Sequence, residues 1–200
     1  MTKFKDFVKG QVAESARVKE AFLADEKAME EVAAVAALLV ETYRAGGKTL
    51  WAGNGGSAAD AQHMAAELVN KFRMNRPGVP ALALTVDTSI LTAIGNDYGY
   101  DQVFSRQIIA NGAPGDVFIG ISTSGNSANL VKALETCREK GIRAVAIVGG
   151  APCRMDAYDH VIRIPSTDTP RIQECQTLVG HILCDAVERS LFSDECFSEC

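Results

Sequence analysis

Five short apolar runs, TLWAG, ALALTV, DVFIGIS, AVAIV and HVIRI, each followed by Gly, Ser, Asp or Thr residues, punctuate the chain after Gly46-Gly47. Helical patterns fill the intervals between them. That alternation predicts an α/β fold with a central parallel five-stranded sheet and crossover helices. The runs are apolar nearly throughout, as in strands buried on both faces, so the expected architecture is a three-layer α/β/α sandwich.

Before the sheet, apolar residues recur at helical spacing (Phe4, Phe7, Val8, Val12, then Val32, Val35, Leu39, Tyr43), which predicts two helices over residues 1–47. Asp25 is the expected cap of the second, and Gly46-Gly47 its stop. Their apolar stripe is wide enough either to cover the sheet or to pack on another subunit. The sheet unit is expected over 48–192 and a tail over 193–200, with no linker dividing the chain into separate domains. Thr169-Pro170 reads as a cap followed by proline in the first helical turn, opening a helix to about Phe192.

An excess of 25 acidic over 20 basic residues, net −5, gives no broad basic field for nucleic acid or anionic lipid. Anion binding must then be local. No apolar run reaches the roughly 18 to 20 residues of a membrane span, and MTKFKDFVKGQ lacks the core of a signal peptide, so a cytoplasmic location is expected. The six cysteines fall mostly in helical patterns without a CxxC pair, which suits reduced thiols. Cys196 and Cys200 form a lone CxxxC to which no role is given.

Two loops have the chemistry for anions. GNGGSA, Gly53 to Ala58, joins a strand to a helix, where glycine lets backbone N–H groups approach a phosphate. It also fits the dinucleotide pattern GxGxxG/A, with Asp87 as a distant candidate for the acidic partner. The second loop, STSGNSAN, Ser122 to Asn129, repeats the strand, hydroxyl, glycine and helix order and offers the hydroxyls of Ser122, Thr123, Ser124 and Ser127. Neither loop has the lysine of a P-loop. Two such loops at the carboxyl ends of strands in one sheet point to a small phosphorylated ligand rather than a nucleotide cofactor.

His63 and Glu67, four residues apart on a helical pattern, share one face. His181 lies in the last helix with Gln173 two turns earlier. Bringing the helices together would place imidazole, carboxylate, amide and imidazole around one point, a set for zinc or a neighbouring divalent metal, although glutamine is a rare ligand. A carboxylate and an imidazole facing a sugar phosphate also suffice, without metal, to remove and return a proton beside a carbonyl. His160, beside Asp159 at a strand start, reads as structural.

Four stretches, GNGGSAADAQHMAAEL, TVDTSILTAIGNDYGYDQVFSRQI, GISTSGNSANLVKALE and TPRIQECQTLVGHILCDAVE, together closely resemble the phosphoheptose isomerases of the sugar isomerase (SIS) domain family. The resemblance spans about residues 51 to 192. It implies a flavodoxin-like sheet order and conversion of D-sedoheptulose 7-phosphate into D-glycero-D-manno-heptose 7-phosphate, toward activated heptose for bacterial surface polysaccharide. It also implies a homotetramer with one zinc per subunit, held by His63, Glu67, Gln173 and His181, with Glu67 and His181 exchanging protons through an enediol. Substrate-binding positions fall on Asn54, Gly55, Gly56, Glu67, Asn96, Asp97, Ser122, Thr123, Ser124, Ser127 and Gln173. Gln176 departs from the family's pattern, where histidine is frequent. The competing readings are non-catalytic relatives on the same fold, a replication-initiator-associated protein or a sugar-phosphate sensor; such relatives tend to lose the carboxylate and histidine that stand here as Glu67 and His181.

Overall fold

The computed structural model describes residues 1–193, so Cys196, Cys200 and nearly all of the expected tail lie outside the described residues. Two helices of 22 and 19 residues come first, α1 (Thr2–Leu23) and α2 (Glu26–Arg44). The Asp25 side chain caps α2 by accepting from Ala28 N at 3.2 Å. Then follow β1 (Thr49–Gly53), α3 (Gly56–Val69), β2 (Ala81–Ala83), α4 (Thr88–Tyr98), α5 (Ser105–Asn111), β3 (Val117–Ser122), α6 (Ala128–Lys140), β4 (Arg143–Val148), β5 (His160–Arg163) and α7 (Thr169–Phe192).

All five strands are parallel, in the order β2-β1-β3-β4-β5. Their side chains divide the core by simple alternation. Leu50, Ala52, Phe118, Ala144 and Ala146 pack into one layer, with Phe104, Ile108 and Leu134 from α5 and α6 or their approaches. Trp51, Val117, Ile119, Val145 and Ile147 point the other way, against α2, α3 and α7. Burial on both faces is what the uniformly apolar runs require.

Several details refine the sequence reading. ALALTV contributes only Ala81–Ala83 to the sheet, because β2 is an edge strand paired to β1 alone. At the start of α7 the cap position is Asp168 rather than Thr169, and no side-chain capping bond forms there. Asp87 caps α4 through Ile90 N at 2.9 Å, a structural use of the carboxylate that had been considered for a dinucleotide. The apolar stripe of α1 is split: Val18 and Phe22 are buried, whereas Phe4, Phe7, Val8 and Val12 are exposed. No residue of α4 is buried. Among the described residues no helix is long and apolar enough to cross a membrane.

The sheet order positions the site. From β1 the chain crosses to β2 on one side, while β3 lies on the other and leads on to β4 and β5. The crevice above the carboxyl ends of β1 and β3 is therefore the switch point at which such sheets receive ligands. Gly53 pairs with Ile121, so the GNGGSA and STSGNS loops leave the sheet side by side.

Candidate active site

Helices α3 and α7 lie on the same side of the sheet and run alongside each other in the same direction. Gly56 meets Gln173, Asp60 accepts from the Thr177 hydroxyl at 2.8 Å, His63 faces His181, and Cys184 Sγ lies 3.9 Å from Met64 Sδ. Successive turns of one helix thus meet successive turns of the other. The sequence shows each helical face, but not that the two faces meet.

At the third of these levels, three side chains converge. His63 Nε2 is 3.1 Å from Glu67 Oε1 and 3.4 Å from His181 Nε2. The two imidazoles meet edge-on, with centroids 4.9 Å apart and planes at 85°. One ligand atom from each of His63, Glu67 and His181 lies within 4.8 Å of the others. A single ring nitrogen carries at most one proton, so His63 Nε2 cannot donate to both neighbours. A cation shared by two imidazoles and a carboxylate satisfies all three lone pairs, and this donor set fits a divalent metal such as zinc. His63 and His181 keep an open side: the His63 side chain is 44% exposed.

Around this group, burial pushes the Asp60 carboxyl above its ordinary range, opposed by the Thr177 hydroxyl and the His63 and His181 imidazoles. The Phe72 ring lies 5.4 Å from the His181 ring. Gln173 stands two turns before His181 with its amide nitrogen over Gly56, in the space a Cβ would fill. It is therefore beside the first loop.

The second loop is folded by its own hydroxyls. Gly125 N donates to Ser122 Oγ at 3.1 Å, Ser122 Oγ lies 3.4 Å from Ser127 Oγ, and Asn126 N donates to Ser124 Oγ at 3.2 Å. Gly125 has φ +61, a left-handed conformation that favours glycine, and it lets the loop double back onto the N-terminus of α6. Ser122 is buried while Thr123, Ser124 and Ser127 retain exposure. The loops are tied together: Asn54 Nδ2 donates to Asn129 Oδ1 at 3.0 Å and Asn129 Nδ2 donates back to Asn54 Oδ1 at 2.9 Å. Tyr100 adds its hydroxyl to Asn54 Oδ1 at 3.3 Å.

Of the residues expected from sequence, the structure brings together His63, Glu67 and His181, and separately Gly56 with Gln173. Ser122, Ser124 and Ser127 share one loop with Thr123. Asn54 joins that loop through Asn129, with Gly55 next to it at the opening of α3. Asn96 and Asp97 stand apart, exposed at the end of α4 and hydrogen-bonded to each other at 2.8 Å. His160 binds Glu31 of α2 at 2.9 Å, a structural contact as expected. Asn129, Thr177, Asp60, Phe72 and Tyr100 were not singled out by sequence. Only Asn129 carried a signal, as an amide placed just after the cap of a loop-borne helix.

The SIS domain family model matches residues 12–149. A phosphoheptose isomerase of Aneurinibacillus thermoaerophilus is 56% identical over 191 residues, covering 95% of this chain and 96% of that protein. The chain belongs to the phosphoheptose isomerases of the SIS domain family. Two solved phosphoheptose isomerases share the fold: that of Francisella tularensis, at TM-score 0.89 and 35% identity over 94% of this chain and all (100%) of the other, and that of Neisseria gonorrhoeae, at TM-score 0.85 and 42% identity over 92% and 98%. As a member of the phosphoheptose isomerases, the protein is an enzyme of the aldose-ketose isomerase class.

Proposed function

We propose that the protein converts D-sedoheptulose 7-phosphate into D-glycero-D-manno-heptose 7-phosphate, with Glu67 and His181 as the proton-transfer pair. The observation that carries this reading is the convergence of His63, Glu67 and His181 beyond two phosphate-suited loops at one sheet end. In this reading the STSGNS hydroxyls of Ser122, Thr123, Ser124 and Ser127 hold the phosphate at the N-terminus of α6. Asn54, Gly55, Gly56 and Gln173 contact the sugar, while Asn96 and Asp97, apart from them at the end of α4, belong to the reading only through the family resemblance. His63 sits about 10 Å along α3 from its first residue, which separates the gripped phosphate from the reacting carbons at the far end of a linear heptose.

Isomerisation needs a proton removed from the carbon bearing the hydroxyl next to the carbonyl and a proton returned at the neighbouring carbon, with an enediol between. Glu67 is the base in the ketose-to-aldose direction and His181 moves the proton between the oxygens. His63, Glu67, Gln173 and His181 would hold one zinc ion per subunit. When bound, the cation would supply stabilisation of the negative charge that develops on proton removal. A homotetramer and a cytoplasmic location belong to this reading; for the tetramer, residues 1–47 present exposed Phe4, Phe7, Val8 and Val12, and α4 exposes Ile90, faces that other subunits of a 48–192 catalytic unit could cover. The product fits the first step toward nucleotide-activated heptose for bacterial surface polysaccharide, with no nucleotide cofactor required.

Incubation with sedoheptulose 7-phosphate, followed by NMR, tests the reading directly. The aldose is expected to appear, and in deuterated water label is expected at the carbon beside the carbonyl. No aldose with metal-replete protein sinks it.

A further inference from the structure

Arg76 and Glu188 form a buried ion pair that the proton transfer outlined above does not use, their side chains 2% and 0% exposed. Glu188 lies on α7 two turns beyond His181. It accepts from the backbone N–H of Phe72, Arg73 and Met74 at 2.9, 2.6 and 2.7 Å and from Arg76 Nε at 2.9 Å. The rest of the Arg76 guanidinium donates to the carbonyls of Leu68 at 2.7 Å and Glu67 at 2.8 Å, in the last turn of α3 where carbonyls run out of helical donors, and to Pro77 O at 3.0 Å.

A clamp that served stability alone would need only to fasten this loop to α7. This one is fastened at two points that bear on the site. Through Arg76 it grips the backbone of Glu67 itself. Through the amides of residues 72–74 it fixes the segment whose Phe72 ring lies at 5.4 Å and 34° to the His181 ring. Glu67 and His181 stand on different helices, so their separation depends on the cross-connections between α3 and α7: the Asp60–Thr177 and Met64–Cys184 contacts, and this clamp at the end of α3. Proton transfer between neighbouring carbons tolerates little error in that separation.

We infer that the Arg76–Glu188 pair is a positioning device for the isomerisation, setting Glu67 against His181 by locking the end of α3 to α7, with Phe72 as the wall that orients the imidazole. The inference rests on the isomerase reading of Glu67 and His181. Arg76 and Glu188 touch no reacting atom and act through those two residues.

The test compares Glu188→Gln, Arg76→Lys and Phe72→Leu with the unaltered protein and with Glu67→Gln. Each is measured for kcat and KM on sedoheptulose 7-phosphate, for zinc affinity by competition with a chromophoric chelator, and for folding by circular dichroism. Folded Glu188→Gln and Arg76→Lys are expected to lose at least about tenfold in kcat and in zinc affinity, the range seen when groups supporting metal ligands are removed. KM should stay within about twofold, since the phosphate grip lies elsewhere. Phe72→Leu leaves the clamp's hydrogen bonds intact and trims a ring that is only half-buried against the core, so it should lower kcat with at most a small loss of Tm, and together with Arg76→Lys it decides the matter if Glu188→Gln fails to fold. Wild-type kcat and zinc affinity in the folded variants, with Glu67→Gln inactive, overturn the positioning role and leave the isomerase reading standing. An active Glu67→Gln protein instead removes the reading on which the inference rests.

Discussion

Asn54 and Asn129 exchange two hydrogen bonds, amide to amide, at 3.0 and 2.9 Å across 75 residues of sequence. The pair joins the first loop to α6 and so fixes the sugar-side loop relative to the proposed phosphate grip. Cutting the buried Asn129 to alanine removes both of these bonds from the half-buried Asn54, whose Oδ1 keeps the Tyr100 hydroxyl. Asn129→Ala is expected to lower kcat/KM by about tenfold, equivalent to about 1.4 kcal/mol, mainly through KM. Steady-state kinetics check this. An unchanged KM would show that the loops hold their places without the pair.

Glu67→Gln keeps the shape of the side chain and removes its basicity, and His181→Gln removes the imidazole from the same face of α7. General acid-base groups contribute about 10²- to 10⁴-fold, and each variant is expected to lose activity on at least that scale. Circular dichroism should show both folded, because neither residue belongs to the apolar core. Near-normal turnover in either one ends its assignment.

Metal content is read independently of turnover. Elemental analysis of protein purified without added metal is expected to find zinc, and chelation to abolish activity reversibly. Zinc at about 100 times its Kd stabilises a folded protein by about 2.7 kcal/mol. For a chain of this size that is a rise in Tm of roughly 5 to 10 °C. His63→Ala should lose the rise, and activity indifferent to chelation and to zinc would take the metal out of the reaction.

What the sequence revealed follows from range. Strands showed because apolar runs and their loop endings are local, and the His63 and Glu67 face showed because one helical turn fixes it. Which residue enters which core layer is set by alternation along β1, β3 and β4, which uniformly apolar runs do not display. Polar partners distant in sequence left no such trace: Arg76 and Glu188 are 112 residues apart, and nothing near either one names the other. The apolar stripe of α1 shows the opposite failure, since Phe4, Phe7, Val8 and Val12 keep helical spacing although all four are exposed in this chain. Periodicity reports an apolar face but not what covers it.

The Arg76–Glu188 pair also sets an acid limit. Burial alone would raise the Glu188 carboxyl, but the N–H groups of Phe72, Met74 and Arg73 and the Arg76 guanidinium outweigh it and hold the group below its usual 4.5. In the unfolded chain the carboxyl binds its proton first as pH falls, so the stabilisation is complete above about 4.5 and disappears as pH drops through the lowered folded value. Glu188→Gln should cost about 3 kcal/mol or more at neutral pH, because it leaves Arg76 buried without a counter-charge. Its Tm, already roughly 10 °C lower, should then fall less steeply than that of the unaltered protein below pH of about 4.5. Parallel Tm curves for the two proteins in acid would show that Glu188 does not set the slope.

Gly56 separates stability from activity. It is the first residue of α3, and a Cβ built there meets Gln173 Nε2 at 2.5 Å and Cδ at 3.2 Å. The obstruction is the tip of a flexible side chain, which can swing aside at little cost. Gly56 has no positive φ, so alanine fits its backbone and restricts the unfolded chain, worth about 0.4 to 1 kcal/mol. Gly56→Ala is therefore expected to melt at the same temperature as the unaltered protein or a few degrees above it. Displacing Gln173 from its place over the first loop should nevertheless lower kcat/KM by about tenfold or more, and should shrink the zinc-dependent rise in Tm if the amide is the fourth ligand. Gly56→Ala combined with Gln173→Ala should be no worse than Gln173→Ala alone, since both changes vacate the same position. Full activity in Gly56→Ala would take Gln173 out of the site, whereas a lowered Tm would mean that the clash falls on the helices rather than on the amide.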